Sequence, residues 1–461
     1  MIEFSTTDRT CSSTPRASLA ALGVKLQQLD LFGPIRQQVH IKQKTVRYSP
    51  TDKLFDAFIS LLAGAHGLVE VNTRLRSDPS LQRAFGRTGC AEQSVIQQTL
   101  DACDATTVTQ MDAALTTIFR QHSRAARHDY TKACLLLDVD MTGLPSGPKA
   151  AFATTGYFAR QRQRRGRQLG RVLATASNEV VVDRLFTGKV QLRSALRPLL
   201  EAAEQTLELD QARRQRTIVR LDSGGGSVGD LNWLLARGYQ VHAKDYSSAR
   251  ARKLARSVTS WVDDPRGGER QVGWVPVSSD EYVEPVVRIA VRCRKQNGTW
   301  AYGVLISTVD PLTVLVHTAA RRVGVTDEAT RWLLAYVYFY DMRGGGVETA
   351  NREDKQGLGI TKRQKKREAA QQMVVGLGSL AHNVLVWARE WLMATTPCLG
   401  AFGLKRLVRD LMTVNGVVEY DERGRVCRIV LNQAHCYARR LVLALQLLVG
   451  AEHVPVILGE T

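Results

Sequence analysis

Acid is what this chain is short of. Its 461 residues carry 44 Asp and Glu against 63 Lys and Arg, a formal charge of +19 and a pI near 9.8. Only 15 of the bases are Lys, which leaves 48 Arg. Arg presents a planar fork that matches phosphate oxygens and guanine edges. The imbalance therefore points to a polyanionic partner over a small neutral ligand. A generally basic proteome is the plainer explanation, and charge alone fits both.

Other absences narrow the class. The N-terminus, MIEFSTTDRTCSSTPR, has no basic segment leading into an apolar one, so no secretory signal is read. The longest uncharged run, 369–388, contains two Gln, a Ser, a His, an Asn and two Gly. That suits a buried amphipathic helix better than a bilayer span, so no membrane partner is expected. The eight Cys show neither C-x-x-C nor the Cys/His spacing of a zinc site. Most lie among apolar neighbours, as Cys134 does in ACLLLDVD, which fits reduced thiols in a cytosolic compartment. No internal repeat and no low-complexity segment is present. Hydrophobic residues at 44% and charged residues at 23% are ordinary globular values, and the length suits two or three domains at ~150 residues each.

Residues 1–125 read as all-helical. Ser49-Pro50-Thr51 is a helix start signal, and Leu54, Phe55, Phe58, Ile59, Leu61 and Leu62 form one apolar stripe after it. Such a basic helical unit is either a DNA-binding domain of helix-turn-helix kind or a structural bundle. From Ala133 the pattern changes. CLLLDVD, LGRVLATA, EVVVDRLF, TIVRLD and YQVHAK read as strands, with helical stretches between the third and fourth and between the fourth and fifth. That order gives an α/β layer over 126–250. Residues 251–309 turn to strand-and-turn composition, with a hairpin across Lys295-Gln296-Asn297-Gly298. Helices return over 310–395. A C-terminal region, 396–461, holds a last hairpin in VVEYDERGRVCRIVL and a helix over 433–450.

Four acids stand at the edges of these elements. Asp138 and Asp140 lie two apart in LLLDVDMTG and so share a strand face. An Asp in an apolar strand is costly unless paired or bound to metal. Asp222 ends TIVRLD, before Ser-Gly-Gly-Gly-Ser. Glu348 follows Gly344-Gly345-Gly346, which should delay helix onset to about Val347. Glu348, Arg352 and Lys355 then share a helix face at i, i+4 and i+7. Singly, each acid is more readily a cap or an ion-pair partner. Jointly, carboxylates at neighbouring strand ends plus one from a helix make the oxygen-rich set that Mg²⁺ takes in phosphodiester cleavage.

Tyr340-Asp341-Met342-Arg343, then Glu348, then Lys355 resembles the Tyr-Arg-Glu-Lys signature of DDE transposases of the insertion sequence 4 superfamily, including the insertion sequence 1380 group. Tyr-to-Arg and Glu-to-Lys spacings match the family pattern; Arg-to-Glu has one residue more. LLLDVDMTGLP is similar to the first-Asp strand and selects Asp140, with Thr142, over Asp138. RLDSGGGSVGDLNWLLARGY is similar to the second-Asp segment and selects Asp222. The likeness spans roughly 50–395. It implies an RNase H-like catalytic core over 126–250 and 310–395, interrupted by a β-rich insertion domain at 251–309. It further implies Asp140, Asp222 and Glu348 as the catalytic acids holding two Mg²⁺ or Mn²⁺ ions, and Tyr340, Arg343 and Lys355 as phosphate contacts. The partners implied are transposon-end and target double-stranded DNA bound by a homodimer, in a bacterial cytoplasm at the nucleoid. Alternatives are an RNase H-like nuclease without strand transfer and a degenerate DNA-binding copy.

Two basic runs extend the expected DNA footprint. Arg160, Arg162, Arg164, Arg165, Arg167 and Arg171 carry no acid among them, and a turn so charged is expected to project beside Asp140. Lys362, Arg363, Lys365, Lys366 and Arg367 follow the Glu348 helix. With Arg352, these supply the candidate DNA contacts Arg162, Arg164, Arg165, Lys362 and Arg363.

Overall fold

The computed structural model describes residues 10–44, 47–158, 161, 163–276, 280–450 and 454–460. Arg160 and Arg162 lie outside the described residues. The strands are β1 (Thr10–Thr14), β2 (Leu135–Pro145), β3 (Thr154–Thr155), β4 (Arg165–Ala174), β5 (Glu179–Thr187), β6 (Thr217–Leu221), β7 (Gln240–Lys244), β8 (Val262–Asp263), β9 (Arg270–Trp274), β10 (Val287–Arg294), β11 (Trp300–Ser307), β12 (Gly416–Tyr420), β13 (Val426–Asn432) and β14 (Val456–Gly459). The chain divides into two compact units. One comprises Met1–Ser123, Pro145–Ala153 and Asn351–Thr461; the other comprises Arg124–Leu144 and Thr154–Ala350.

In the first unit, N-terminal and C-terminal segments share one apolar core. Leu54, Phe55, Phe58 and Leu62 of the helix Pro50–Leu62 join Met373, Leu377, Val384 and Trp387 of the helix Glu368–Met393. The Pro50 helix starts where its sequence says. The Ser49 hydroxyl accepts from the Asp52 amide at 3.1 Å, the Asp52 carboxylate accepts from the Ser49 amide, and Pro50 spends its missing N–H where none is needed. The uncharged run 369–388 is buried throughout, with its polar residues inside the unit, and no helix among the described residues is long and apolar enough to cross a membrane. A four-stranded sheet, β1-β12-β13-β14, completes the unit.

The second unit is built on a ten-stranded sheet whose order includes β4-β2-β6-β7-β11-β10-β9-β8, with β5 antiparallel on β4. All five strands read at 134–244 form, and so do the helices between them, Leu192–Leu207 and Val228–Ala236. β2, β6 and β7 run parallel, as crossover helices require. Three strands joined as β2, β4 and β5, then two parallel strands on the other side of β2, make the RNase H-like core. The strands of 251–309 continue this same sheet, β11 pairing antiparallel with β7. Asn297-Gly298 turns the β10–β11 hairpin, with Gly298 at φ +79°. The helix Glu328–Arg343 buries 333–339 against Ile218, Ile289 and Leu305.

The glycines break the helix where their low propensity suggests. The helix Glu328–Arg343 runs on through Gly344 and Gly345, Gly346 is non-helical (φ −90°, ψ −108°), and a second helix starts beyond this kink and continues into Thr349–Gly357. Gly346 has to be Gly: a Cβ there would stand 2.7 Å from Asp138 Oδ2 and 2.8 Å from Thr175 Cγ2.

Candidate active site

β2 and β6 set the spacing of the first two acids. Their parallel register pairs Asp138 with Arg220 and Val139 with Leu221, so one step further come Asp140 and Asp222. Adjacent strands lie ~4.8 Å apart, which places these two residues side by side at the carboxyl end of the core strands. Asp222 caps the turn Ser223–Gly225, its Oδ1 accepting from the Gly224 amide at 2.8 Å.

Asp138 and Asp140 share a face but not a role. Asp138 is wholly buried, and Arg220 donates to both its oxygens at 2.7 and 2.9 Å. The third donor of Arg220 goes to the Phe339 carbonyl at 2.7 Å. Asp138 is therefore a structural ion-pair partner, linking β2, β6 and the helix Glu328–Arg343. Asp140 is 15% exposed and lies 3.3 Å from Arg343. Burial raises its pKa to about 6; Arg343 opposes this, and the charges of Asp222 and Glu348 add to it. Those last contributions place the three acids in one electrostatic neighbourhood.

Glu348 lies just past the kink and is 60% exposed. The kink at Gly346 takes up the extra residue between Arg343 and Glu348, which lie 3.7 Å apart. Arg343 is 3% exposed; it bridges Asp140 and Glu348 and donates to the Val139 carbonyl at 3.2 Å. Burial works against its charge, but Asp140, Asp138 and Asp222 outweigh it and hold the guanidinium protonated. In the structure the Arg343 guanidinium points into the acids. Tyr340 is half-buried; burial pushes its hydroxyl up to about 12, with Arg343, Asp222 and Glu348 as its charged neighbours.

The basic runs divide by strand geometry. Arg164 and Arg165 are exposed, where β4 starts beside Leu144, four residues along β2 from Asp140. Arg167 and Arg171 are buried in the sheet instead, against the expectation that the whole run projects; Arg171 donates to Asp183 at 2.8 and 2.7 Å across β4–β5. In the first unit, Lys362 is exposed but Arg363 is buried and donates to the Ala65 and Leu358 carbonyls. Burial lowers Arg363 to about 10. Arg363 is corrected from a DNA contact to an interior strut. Lys365 is buried likewise, donating to Gln97 at 2.6 Å. Arg352 is exposed and Lys355 half-buried on the helix Thr349–Gly357.

Asp140, Asp222 and Glu348 present only carboxylate oxygens, the hard donors that Mg²⁺ or Mn²⁺ takes. Asp138 and Asp183, by contrast, have both oxygens committed to arginine forks. The donor set fits such ions in chemistry. Among the described residues no three or more His, Cys, Asp or Glu are gathered into a metal cage; a guanidinium bridges Asp140 and Glu348 instead.

The structure is similar to that of a piggyBac transposase in a synaptic complex with hairpin DNA. The TM-score is 0.45 at 11% identity, over 86% of this chain and 79% of that one. No protein-family model matches the sequence, and no curated protein matches it.

Arg220 is the residue that reading the sequence missed. It lies in the quoted strand TIVRLD, and its signal was there: one base in an apolar strand, in register with one acid in another.

Proposed function

We propose that the chain is a DNA transposase of the DDE kind, in the insertion sequence 4 superfamily and its 1380-like group, that cleaves transposon-end DNA and joins the freed strand to target DNA. The observation that supports this best is the convergence of Asp140, Asp222 and Glu348 at one end of an RNase H-like sheet. On this reading the three acids would hold two Mg²⁺ or Mn²⁺ ions, which would supply Lewis-acid activation of a water and charge stabilisation for phosphodiester cleavage. The chain's own residues position the DNA. Tyr340, kept protonated, donates a hydrogen bond to a phosphate oxygen near the acids. Arg352 and Lys355 hold backbone phosphates, and exposed Arg164, Arg165 and Lys362 extend the contact as point charges. A homodimer pairs two transposon ends, and the work is done at a bacterial nucleoid.

The test is Asp222→Ala. Mg²⁺-dependent cutting of terminal inverted-repeat DNA should fall to background while retention of that DNA in a gel shift is unchanged; cutting that survives removes Asp222 from the site. Joining of a 3′ end to plasmid DNA separates this reading from a nuclease without strand transfer.

A further inference from the structure

We propose that Arg343 is a resident counter-ion that competes with divalent metal for Asp140 and Glu348, so that metal binds fully only when a DNA phosphate draws the guanidinium away. This rests on the reading that these acids hold metal.

Three buried arginines in this unit show the contrast. Arg220 makes three bonds of 2.7 to 2.9 Å, and Arg171 grips Asp183 at 2.7 and 2.8 Å. These are the lengths of charge-assisted hydrogen bonds, about 2.7–2.9 Å. Arg343 reaches Val139, Asp140 and Glu348 only at 3.2, 3.3 and 3.7 Å. It is held by the field of the acids more than by bond geometry. One guanidinium among three carboxylates leaves the site net negative, so a further cation is attracted. A divalent ion and the guanidinium need the same oxygens.

The turn just after Arg343 is open. A Cβ at Gly345 would meet nothing within 4 Å, and at Gly344 only Glu348 Oε2 at 3.9 Å, whereas Gly346 is wedged against Asp138 and Thr175. Glu348 is the exposed end of the bridge, 60% against 15% for Asp140. A guanidinium leaving Asp140 therefore moves toward solvent, where a phosphodiester offers it a charge that needs no burial. Linkage makes the effect reciprocal: phosphate that tightens metal is tightened by metal to the same extent.

The experiment is an Mn²⁺ titration of the full chain followed by electron paramagnetic resonance, with and without a duplex of arbitrary sequence. Without DNA, Arg343→Gln should bind Mn²⁺ at least about tenfold more tightly than wild type, the scale of one close charge contact removed. Arg343→Lys, which keeps the charge, should stay within about threefold of wild type, the context scatter of a single interaction. Adding duplex should tighten Mn²⁺ for wild type and do much less for Arg343→Gln. Unchanged or weaker Mn²⁺ binding by Arg343→Gln overturns the proposal, as does an equal duplex effect on both proteins; if Arg343→Gln does not fold, Arg343→Met, which keeps the aliphatic stem and removes the charge, is read by the same two criteria. Asp222→Asn tells the two readings apart. If it leaves Mn²⁺ binding intact, the metal-site reading fails; if it abolishes binding while Arg343→Gln gains nothing, only the counter-ion proposal fails.

Discussion

Asp138 and Asp140 are two residues apart on one strand face, and their environments predict opposite mutational outcomes. Asp138→Ala strands the buried Arg220, a loss of roughly 3–5 kcal/mol, visible as a lower urea midpoint. Asp140→Asn should behave in the other direction. The Asp140 carboxyl is raised from 3.8 to about 6 in the folded chain, so its stabilising contribution is complete below pH 3.8 and lost as pH rises through 6. Asparagine escapes that loss. Urea unfolding should find Asp140→Asn more stable than wild type at pH 8, by about 3 kcal/mol at most given ~1.4 kcal/mol per pKa unit, and no more stable near pH 3.5. His242 has the opposite sign. Burial lowers it from 6.5 to about 3 among Tyr336, Phe339 and Tyr340, so its contribution is complete above pH 6.5 and drains away toward pH 3. Acidifying from pH 6.5 to 5 should cost about 2 kcal/mol through this group, and a calorimetric pH series on His242→Leu should lack that part of the slope.

At the scale of elements, the glycine kink is the testable device. Removing any one of the three glycines yields the same chain, with Arg343 and the glutamate four apart. A continuous α turn in place of the kink keeps the two side chains on one face. We expect this deletion to melt within a few degrees of wild type and to keep cleavage. Gly346→Ala keeps the length but drives a Cβ into Asp138 and Thr175. A thermal melt should show about 1–3 kcal/mol lost, the usual cost of overpacking. The same elements show what a linear reading reaches. The core strands were legible because runs such as CLLLDVD and EVVVDRLF are β-rich and bounded by turns, and Ser49-Pro50 marked its helix. Asp140 and Asp222 were legible as acids at strand ends. The buried arginines were not. The partner of Arg171 is Asp183 and that of Arg220 is Asp138, supplied by strand register across a hairpin and a crossover, whereas along the chain these residues look like a basic run and a stray charge. Arg363 and Lys365 misled similarly, because alternate residues of one basic segment turn inward.

For the whole molecule, +19 does not say which bases face a partner. Arg167, Arg171, Arg220, Arg343, Arg363 and Lys365 are all buried, and two of them pair with buried acids, Asp183 and Asp138, so these six supply no surface contact. Replacing both Arg164 and Arg165 by Gln should therefore lower the salt dependence of DNA binding, reducing the log–log slope by about 2 if each meets one phosphate. Arg171→Gln should leave that slope alone and reduce stability, since it leaves Asp183 buried without its fork. A filter-binding series from 50 to 300 mM salt, at roughly one Debye length of screening or less, reads both.

The register between β2 and β6 also bears on when the three acids come together. Asp138 and Arg220 meet across 82 residues of intervening chain, and Glu348 arrives more than a hundred residues later still. Such non-local closures come late, because the entropy of the loop is lost before the contact returns anything. A nascent or half-folded chain already has its basic residues, but its three acids are still far apart. On the proposed reading, cutting power would then belong to the finished sheet alone, and incomplete folding would act as a safety catch on the encoding genome.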